Sequence, residues 1–199
     1  MRSGGAVGSR AESKAESSRR VVAAAAELFT RQGYAGTTIP QIAARAGVAV
    51  GTVAKVGSKD ALFLRVWEEA STAASLDMLA GSRQASGSVT ERVWSYFDGL
   101  VESSIAMPDG LRDYFVAYLR ERDHVENQAR LAGVVDAIRD LFPADELPAA
   151  DSPAMLAAWT LWLSFSSVCF GLAATSIPPE QARRLMRSLV VAQCAPFEE

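Results

Sequence analysis

Ile42, Ala43, Ala46, Gly47, Val48, Val53 and Val56 stand at the spacing of two short helices joined by a tight turn. No other stretch of the chain constrains its fold as closely. Ala43 is small where the two helices cross, and Gly47 is free to take the positive φ such a turn needs. The other five side chains fill the wedge between this pair and a supporting helix before it. That helix is read from Val22, Ala25, Ala26 and Phe29, and Gly33 closes it. Thr38 stands as N-cap ahead of the pair, and Pro40 falls in the first turn, where its missing N–H costs nothing.

Elsewhere apolar residues also recur at helical spacing, and no alternating strand pattern persists, so the fold class is all-α with roughly nine helices. Ser58 is expected to cap a helix bearing Leu62, Phe63, Val66 and Trp67, ending near Leu79 ahead of Gly81. Thr90 is expected to cap the next, with Val93, Phe97 and Val101 inward. Further stripes are Leu111, Tyr114, Phe115, Tyr118 and Leu119, then Val134, Val135, Ile138 and Phe142. Pro143, Pro148 and Pro153 mark an irregular connector. Two helices close the chain, from about Pro153 to Thr175 and from Pro178 to Gln193.

Charge divides the chain. Residues 1–70 hold ten Lys/Arg against six Asp/Glu, and residues 71–199 hold ten against seventeen. A basic head on an acidic body points to a polyanionic partner for the head. Two cysteines and one histidine, His124, leave neither a disulfide scaffold nor a metal-ligand set. Gly47–Gly51 lacks the Lys-Ser/Thr of a phosphate loop, and no Glu-x-x-His pair occurs, so no catalytic residue, metal or cofactor is assigned. His124 reads as a surface residue.

The first 18 residues read as a mobile tail, with Arg2, Arg10 and Lys14 near phosphates at most, and without the apolar stretch of a secretory signal. Ser152–Pro179 carries no charge and is long enough to cross about 30 Å of hydrocarbon. The hydroxyls of Thr160, Ser164, Ser166, Ser167, Thr175 and Ser176 within it, and its being one such segment, favour instead a buried helix at a subunit interface. A soluble cytoplasmic protein without a membrane partner is expected.

Ser18–Trp67 resembles the DNA-binding domain of the TetR family of one-component transcriptional regulators, through "AAAAELFTRQGYAGTTIPQIAARAGVAVGT" and "SKDALF". The resemblance implies a helix-turn-helix domain over residues 19–64 and an effector-binding and dimerisation bundle over residues 65–199. It implies a phosphate contact at Thr38, shared by Thr37, and a backbone-contacting Lys59. Thr52 and Lys55 hold recognition-helix positions that face double-stranded DNA. Gln41 can reach a base edge or the backbone, and Val50 a thymine methyl. The family's aromatic pair after the recognition helix is missing: Val53-Ala54-Lys55-Val56-Gly57 is one residue short, and Ala54 stands where a Tyr commonly touches phosphate. Sequence choice is therefore expected to lean on few bases and on DNA shape.

The resemblance also places a small-molecule pocket among the middle helices, with Trp94, Phe97, Phe115, Tyr118 and Trp162 as its wall; aromatics at this spacing equally fit a packed core. A homodimer through the last two helices is implied, with Ala157, Ala158, Ser164, Ser167 and Gly171 permitting close approach and Trp162 and Phe165 supplying area. Cys169 and Cys194 read as buried reduced thiols. The whole describes a ligand-responsive repressor of a palindromic operator, released by a small apolar or aromatic effector. The alternative is a protein of this fold with weakened DNA binding, acting as an interaction or sensor module.

Overall fold

The computed structural model describes residues 5–121, 125–144 and 152–198, so the readings at Arg2, His124 and Pro148 lie outside the described residues. Within these residues the chain forms nine α-helices, one 3-10 turn at Ala195–Phe197, and no strand. The helices are α1 (Gly5–Gly36), α2 (Ile39–Ala46), α3 (Val50–Val56), α4 (Lys59–Gln84), α5 (Val89–Ala106), α6 (Pro108–Arg120), α7 (Val125–Arg139), α8 (Pro153–Ala173) and α9 (Pro179–Cys194).

Two compact units are present. The head comprises α1–α3, α4 up to Glu69, and the end of α6 from Val116. The sequence draws its boundary at residue 64, because nothing local reveals that the end of α6 joins this unit. The head's core is Val21, Ala25, Ile42, Val53 and Leu62, all nearly solvent-free, with Phe29 and Phe63 edge-to-face at 5.1 Å. The segment expected as a mobile tail is helical from Gly5 onward. Its Ala, Arg, Glu and Lys are good helix formers, and α1 extends through them from the packed part. Gly33, with φ 72 and ψ 174, breaks α1 near its end, in a region open almost only to glycine.

The body holds the remainder of α4 and α6 with α5, α7, α8 and α9. Its core includes Tyr96, Phe97, Ile138, Leu161 and Met186. The Tyr96 hydroxyl shares a 2.7 Å hydrogen bond with buried Ser75, and burial pushes this phenol up to about 12. Arg183 of α9 grips Asp98 of α5 through two bonds of 2.6 Å.

Three expectations are corrected here. α5 is capped by Ser88, not Thr90: Ser88 Oγ accepts from Glu91 N, and the Glu91 carboxylate accepts from Ser88 N. The Thr90 N–H is taken instead by the Glu198 carboxylate at 2.6 Å. α4 runs past Gly81 because Leu79 and Ser82 are buried and Arg83 reaches Ala137 O on α7 and Asp140 just after it, which together outweigh the cost of one helical glycine. On α6, Leu119 is 78% exposed and the buried residues are Leu111 and Ala117.

Candidate nucleic-acid interface

Local chemistry fixes the helix-turn-helix at both ends of α2. Thr38 Oγ1 accepts from Gln41 N, and Gln41 Oε1 accepts from Thr38 N at 2.8 Å, forming a reciprocal capping box. At the other end Gly47 adopts φ 63 and ψ 40. Its N–H meets Ala44 O at 3.2 Å, and the Val48 N–H meets Ala43 O at 3.0 Å, so the last carbonyls are satisfied as the chain reverses. The αL conformation, rather than lack of space, is what calls for glycine here: a Cβ would find its nearest neighbour at 3.9 Å. α3 then starts at Val50 and hangs on one fully buried side chain, Val53.

The outward side of α3 is left to solvent. Val50 is 49% exposed, Lys55 is exposed and Thr52 is half-buried. Ala49, Gly51 and Ala54 are exposed too and offer no side-chain hydrogen bond. Several cations of the head are paired and others are not. Arg45 is tied to Glu27 at 2.5 Å, Arg65 to Glu69 at 2.9 Å, and Arg19 to Glu16. Lys55 and Lys59 form no ion pair among the described residues and so remain available to phosphates. Lys59 opens α4, whose cap is Ser58: Ser58 Oγ accepts from Ala61 N at 2.9 Å and donates to Glu121 Oε2 at 2.9 Å. The Lys59 ammonium stands 4.0 Å from the centroid of the Tyr34 ring. Burial, followed by a hydrogen bond to Asp60, pushes the Tyr34 phenol up to about 12.

The seven residues assigned to DNA do not stand alike. Thr38 is exposed beside Gln41, and Val50, Lys55 and Lys59 also reach solvent. Thr37 is a correction. It is fully buried, and its Oγ1 donates to Gly33 O at 2.8 Å, so it anchors the end of α1 and presents no hydroxyl to a phosphate. The Gln41 carbonyl oxygen is committed to the capping box and to Gln32 Nε2 at 3.3 Å, leaving its amide N–H groups as the donors. Two residues escaped the sequence reading. Arg20 lies beside the turn, its Nη1 3.9 Å from where a Cβ on Gly47 would stand, and Tyr34 lies under Lys59. The Gly33-Tyr34 pair near the end of α1 was the available signal for Tyr34; Arg20 had none.

In the body, Phe97, Phe165 and Trp162 form a chain of rings at 6.1 and 5.8 Å. Phe115 packs edge-to-face on Phe170 at 5.5 Å, and Trp94 carries the Arg187 guanidinium at 5.2 Å. Tyr118 falls in the head unit. The five proposed wall residues are thus spread over several clusters, and Phe97, fully buried, is core in this structure. On α8, Ala157, Ala158 and Phe165 face inward, and Gly171 makes room for Ile177, which a Cβ would meet at 3.0 Å. The face α8 leaves open is Leu156, Leu163 and Phe170, seven residues apart and 55–58% exposed. Leu185 and Val191 of α9 are exposed as well. By length and composition α8 alone among the described helices could cross a membrane, and a third of its most apolar stretch is buried in the protein. Cys169 and Cys194 are free, buried thiols.

Residues 21–66 match the tetR family of bacterial regulatory proteins, a class of regulators and not of enzymes. No curated protein sequence matches the chain. Among solved structures, a TetR transcriptional regulator from Rhodococcus sp. RHA1 is 19% identical, covering 92% of this chain and 98% of its own, with a TM-score of 0.61. FadR of Thermus thermophilus, a TetR family transcriptional repressor in complex with lauroyl-CoA, is 20% identical, with 87% and 93% covered and a TM-score of 0.66. A TetR-family regulator from Streptomyces coelicolor is 19% identical, with 93% and 97% covered and a TM-score of 0.58. At these identities the structures establish the fold alone, and the family match covers residues 21–66 of the head.

Proposed function

We propose that this chain, a TetR-family transcriptional regulator, binds a palindromic operator as a homodimer and is released from it by a small apolar or aromatic effector. It acts as a repressor in the cytoplasm, with residues 19–64 reading DNA and residues 65–199 serving effector and partner. One observation carries the reading. α3 is anchored by Val53 while Val50 and Lys55 face solvent and neighbouring Lys59 is half-buried, the arrangement a recognition helix needs to enter a major groove. Thr38, Thr52 and the Gln41 amide stand ready to add phosphate or base contacts. Few of these groups hydrogen-bond bases, so specificity rests on a short set of contacts and on DNA deformability.

Dimerisation through α8 and α9 is supported by the exposed apolar row Leu156, Leu163 and Phe170, with Leu185 and Val191 beside it in sequence terms on α9. Covering such a row removes apolar surface from water. An apolar effector is supported by the aromatic content of the body, including Trp94, Phe115 and Trp162, and by the lauroyl-CoA bound to FadR of Thermus thermophilus. Release follows by linkage: an effector that favours a dimer conformation with another head spacing lowers operator affinity by its differential affinity for the two conformations.

Selection of bound sequences from random duplex DNA tests this. A two-fold symmetric site, with affinity falling steeply as salt rises, is the expected outcome. Recovery of no preferred sequence, or binding indifferent to salt, would sink the reading and leave the interaction-module alternative.

A further inference from the structure

We infer that Tyr34 is a positioning residue for the phosphate contact of Lys59, holding its ammonium in place at the start of α4 through the face of its ring. The inference rests on the DNA-binding reading above and deepens it. Lysine is a flexible four-carbon stem ending in a point charge, and ordering it against a phosphate loses rotamer freedom. Here the ammonium is already collected 4.0 Å from the ring centroid, well inside the reach of about 6 Å over which a ring face attracts a cation.

The ring is itself packed. It lies 4.9 Å from Phe63 and 6.2 Å from Phe29, between helices α1 and α4. Its hydroxyl donates to the carboxylate of Asp60, the residue after Lys59. That bond fastens the ring to the same helical turn that bears the lysine, and it pushes electron density toward the ring face, which strengthens attraction for a cation. Ser58 caps the turn from the other side. The arrangement has a particular use in this chain. Val53–Gly57 contributes no aromatic side chain, and Ala54 is exposed with nothing to offer a phosphate. Tyr34 brings an aromatic to the clamp from α1 instead of from the end of α3.

A double-mutant cycle on affinity for a duplex selected by the wild-type protein tests the inference. Lys59→Ala is expected to weaken binding and to lower the salt slope by about one. Tyr34→Leu is expected to weaken binding by about three- to tenfold. In the Tyr34→Leu background Lys59→Ala should cost distinctly less than in the wild type, whereas Tyr34→Phe, which keeps the ring but loses the bond to Asp60, should retain most of the affinity and most of the Lys59 effect. A merely structural tyrosine would lower the melting temperature and leave the two effects additive. Additivity, or tighter binding by Tyr34→Leu, overturns the inference while the DNA-binding reading stands. No salt-dependent binding by the wild type overturns both. Should Tyr34→Leu fail to fold, the NMR shifts of the wild type decide: the Lys59 ε-methylene protons should be displaced upfield by the ring, and ordinary lysine shifts there overturn the inference.

Discussion

The turn between α2 and α3 and the packed interior of the body are built by opposite means. In the turn, every decisive contact spans five residues or fewer: Thr38 with Gln41, Gly47 with Ala44, Val48 with Ala43. In the body, the defining contacts join residues 21 to 108 positions apart, such as Ser75 with Tyr96, Asp98 with Arg183, and Thr90 with Glu198. The first region is determined by backbone geometry and caps, each worth about 1 kcal/mol. The second is determined by burial, where single side chains carry several times that. Geometry determined locally can present α3 with few buried residues of its own; a body determined by burial can accept or reject a guest only by changing its packing.

Phe97→Ala is the largest expected break in that contrast. The ring is fully buried between Tyr96 at 5.0 Å and Phe165 at 6.1 Å, so its removal should cost about 3–5 kcal/mol, read as a lower urea midpoint. A loss below about 1 kcal/mol would mean that the ring borders a space which readily collapses or fills. Phe97 would then return to the set of effector-wall residues, and the body would be less tightly packed than its solvent-free core implies.

Smaller effects of opposite sign come from one substitution made in both regions. Gly47→Ala should destabilise by about 1–2 kcal/mol, because φ 63 crowds any Cβ against its own carbonyl, and Gly47→Asn should cost less. Gly81→Ala, in the body's part of α4, should stabilise by about 0.5–1 kcal/mol, since that glycine is helical and a Cβ would meet nothing within 4 Å. Thermal unfolding of the two variants reads both signs. Equal effects would show that the turn is not held by its αL residue.

The same contrast explains what could be read from the sequence. α2 and α3 were legible with their ends because cap, proline and glycine all lie within a few residues of the helices they bound. Thr90 was mistaken for a cap because Ser88 and Thr90 both carry hydroxyls, and only Glu91 three residues after Ser88 separates them. The helix through Gly81 was hidden because Arg83 finds its partner, Asp140, just past the end of α7, 57 residues away. At the site, Lys55, Lys59 and Val50 were legible only through the family resemblance; Val50 and Lys55 are exposed and Lys59 is half-buried. Thr37 was not: in a Thr-Thr pair the sequence does not say which hydroxyl turns back to the preceding helix, and the bond to Gly33 O settles it. On α8 the lack of charge led to an expected subunit interface, and three of the residues expected on it, Ala157, Ala158 and Phe165, turn out to be buried within the protomer. Ala157 and Ala158 serve the protomer's own core, and the larger Leu156, Leu163 and Phe170 are left outside.

The smallest expected effect belongs to the one ion pair that ties the turn's first helix to its support. Glu27 on α1 accepts from Arg45 on α2 at 2.5 Å and lies 3.6 Å from Arg31. The hydrogen bond from Arg45, helped by the charges of both arginines, holds the Glu27 carboxyl below its ordinary value of 4.5. A carboxyl depressed in the folded state contributes stability above the unfolded value, and that contribution fades as the pH falls through the lower folded value. Acidification below pH 4.5 should therefore lower the melting temperature of the wild type more than that of Glu27→Gln, which has no proton to take up. Because the pair is exposed, raising the salt should shrink the difference between the two proteins. A difference that survives high salt would place Glu27 among the buried determinants that mark the body, and the tie between α1 and α2 would no longer be one of solvated charge.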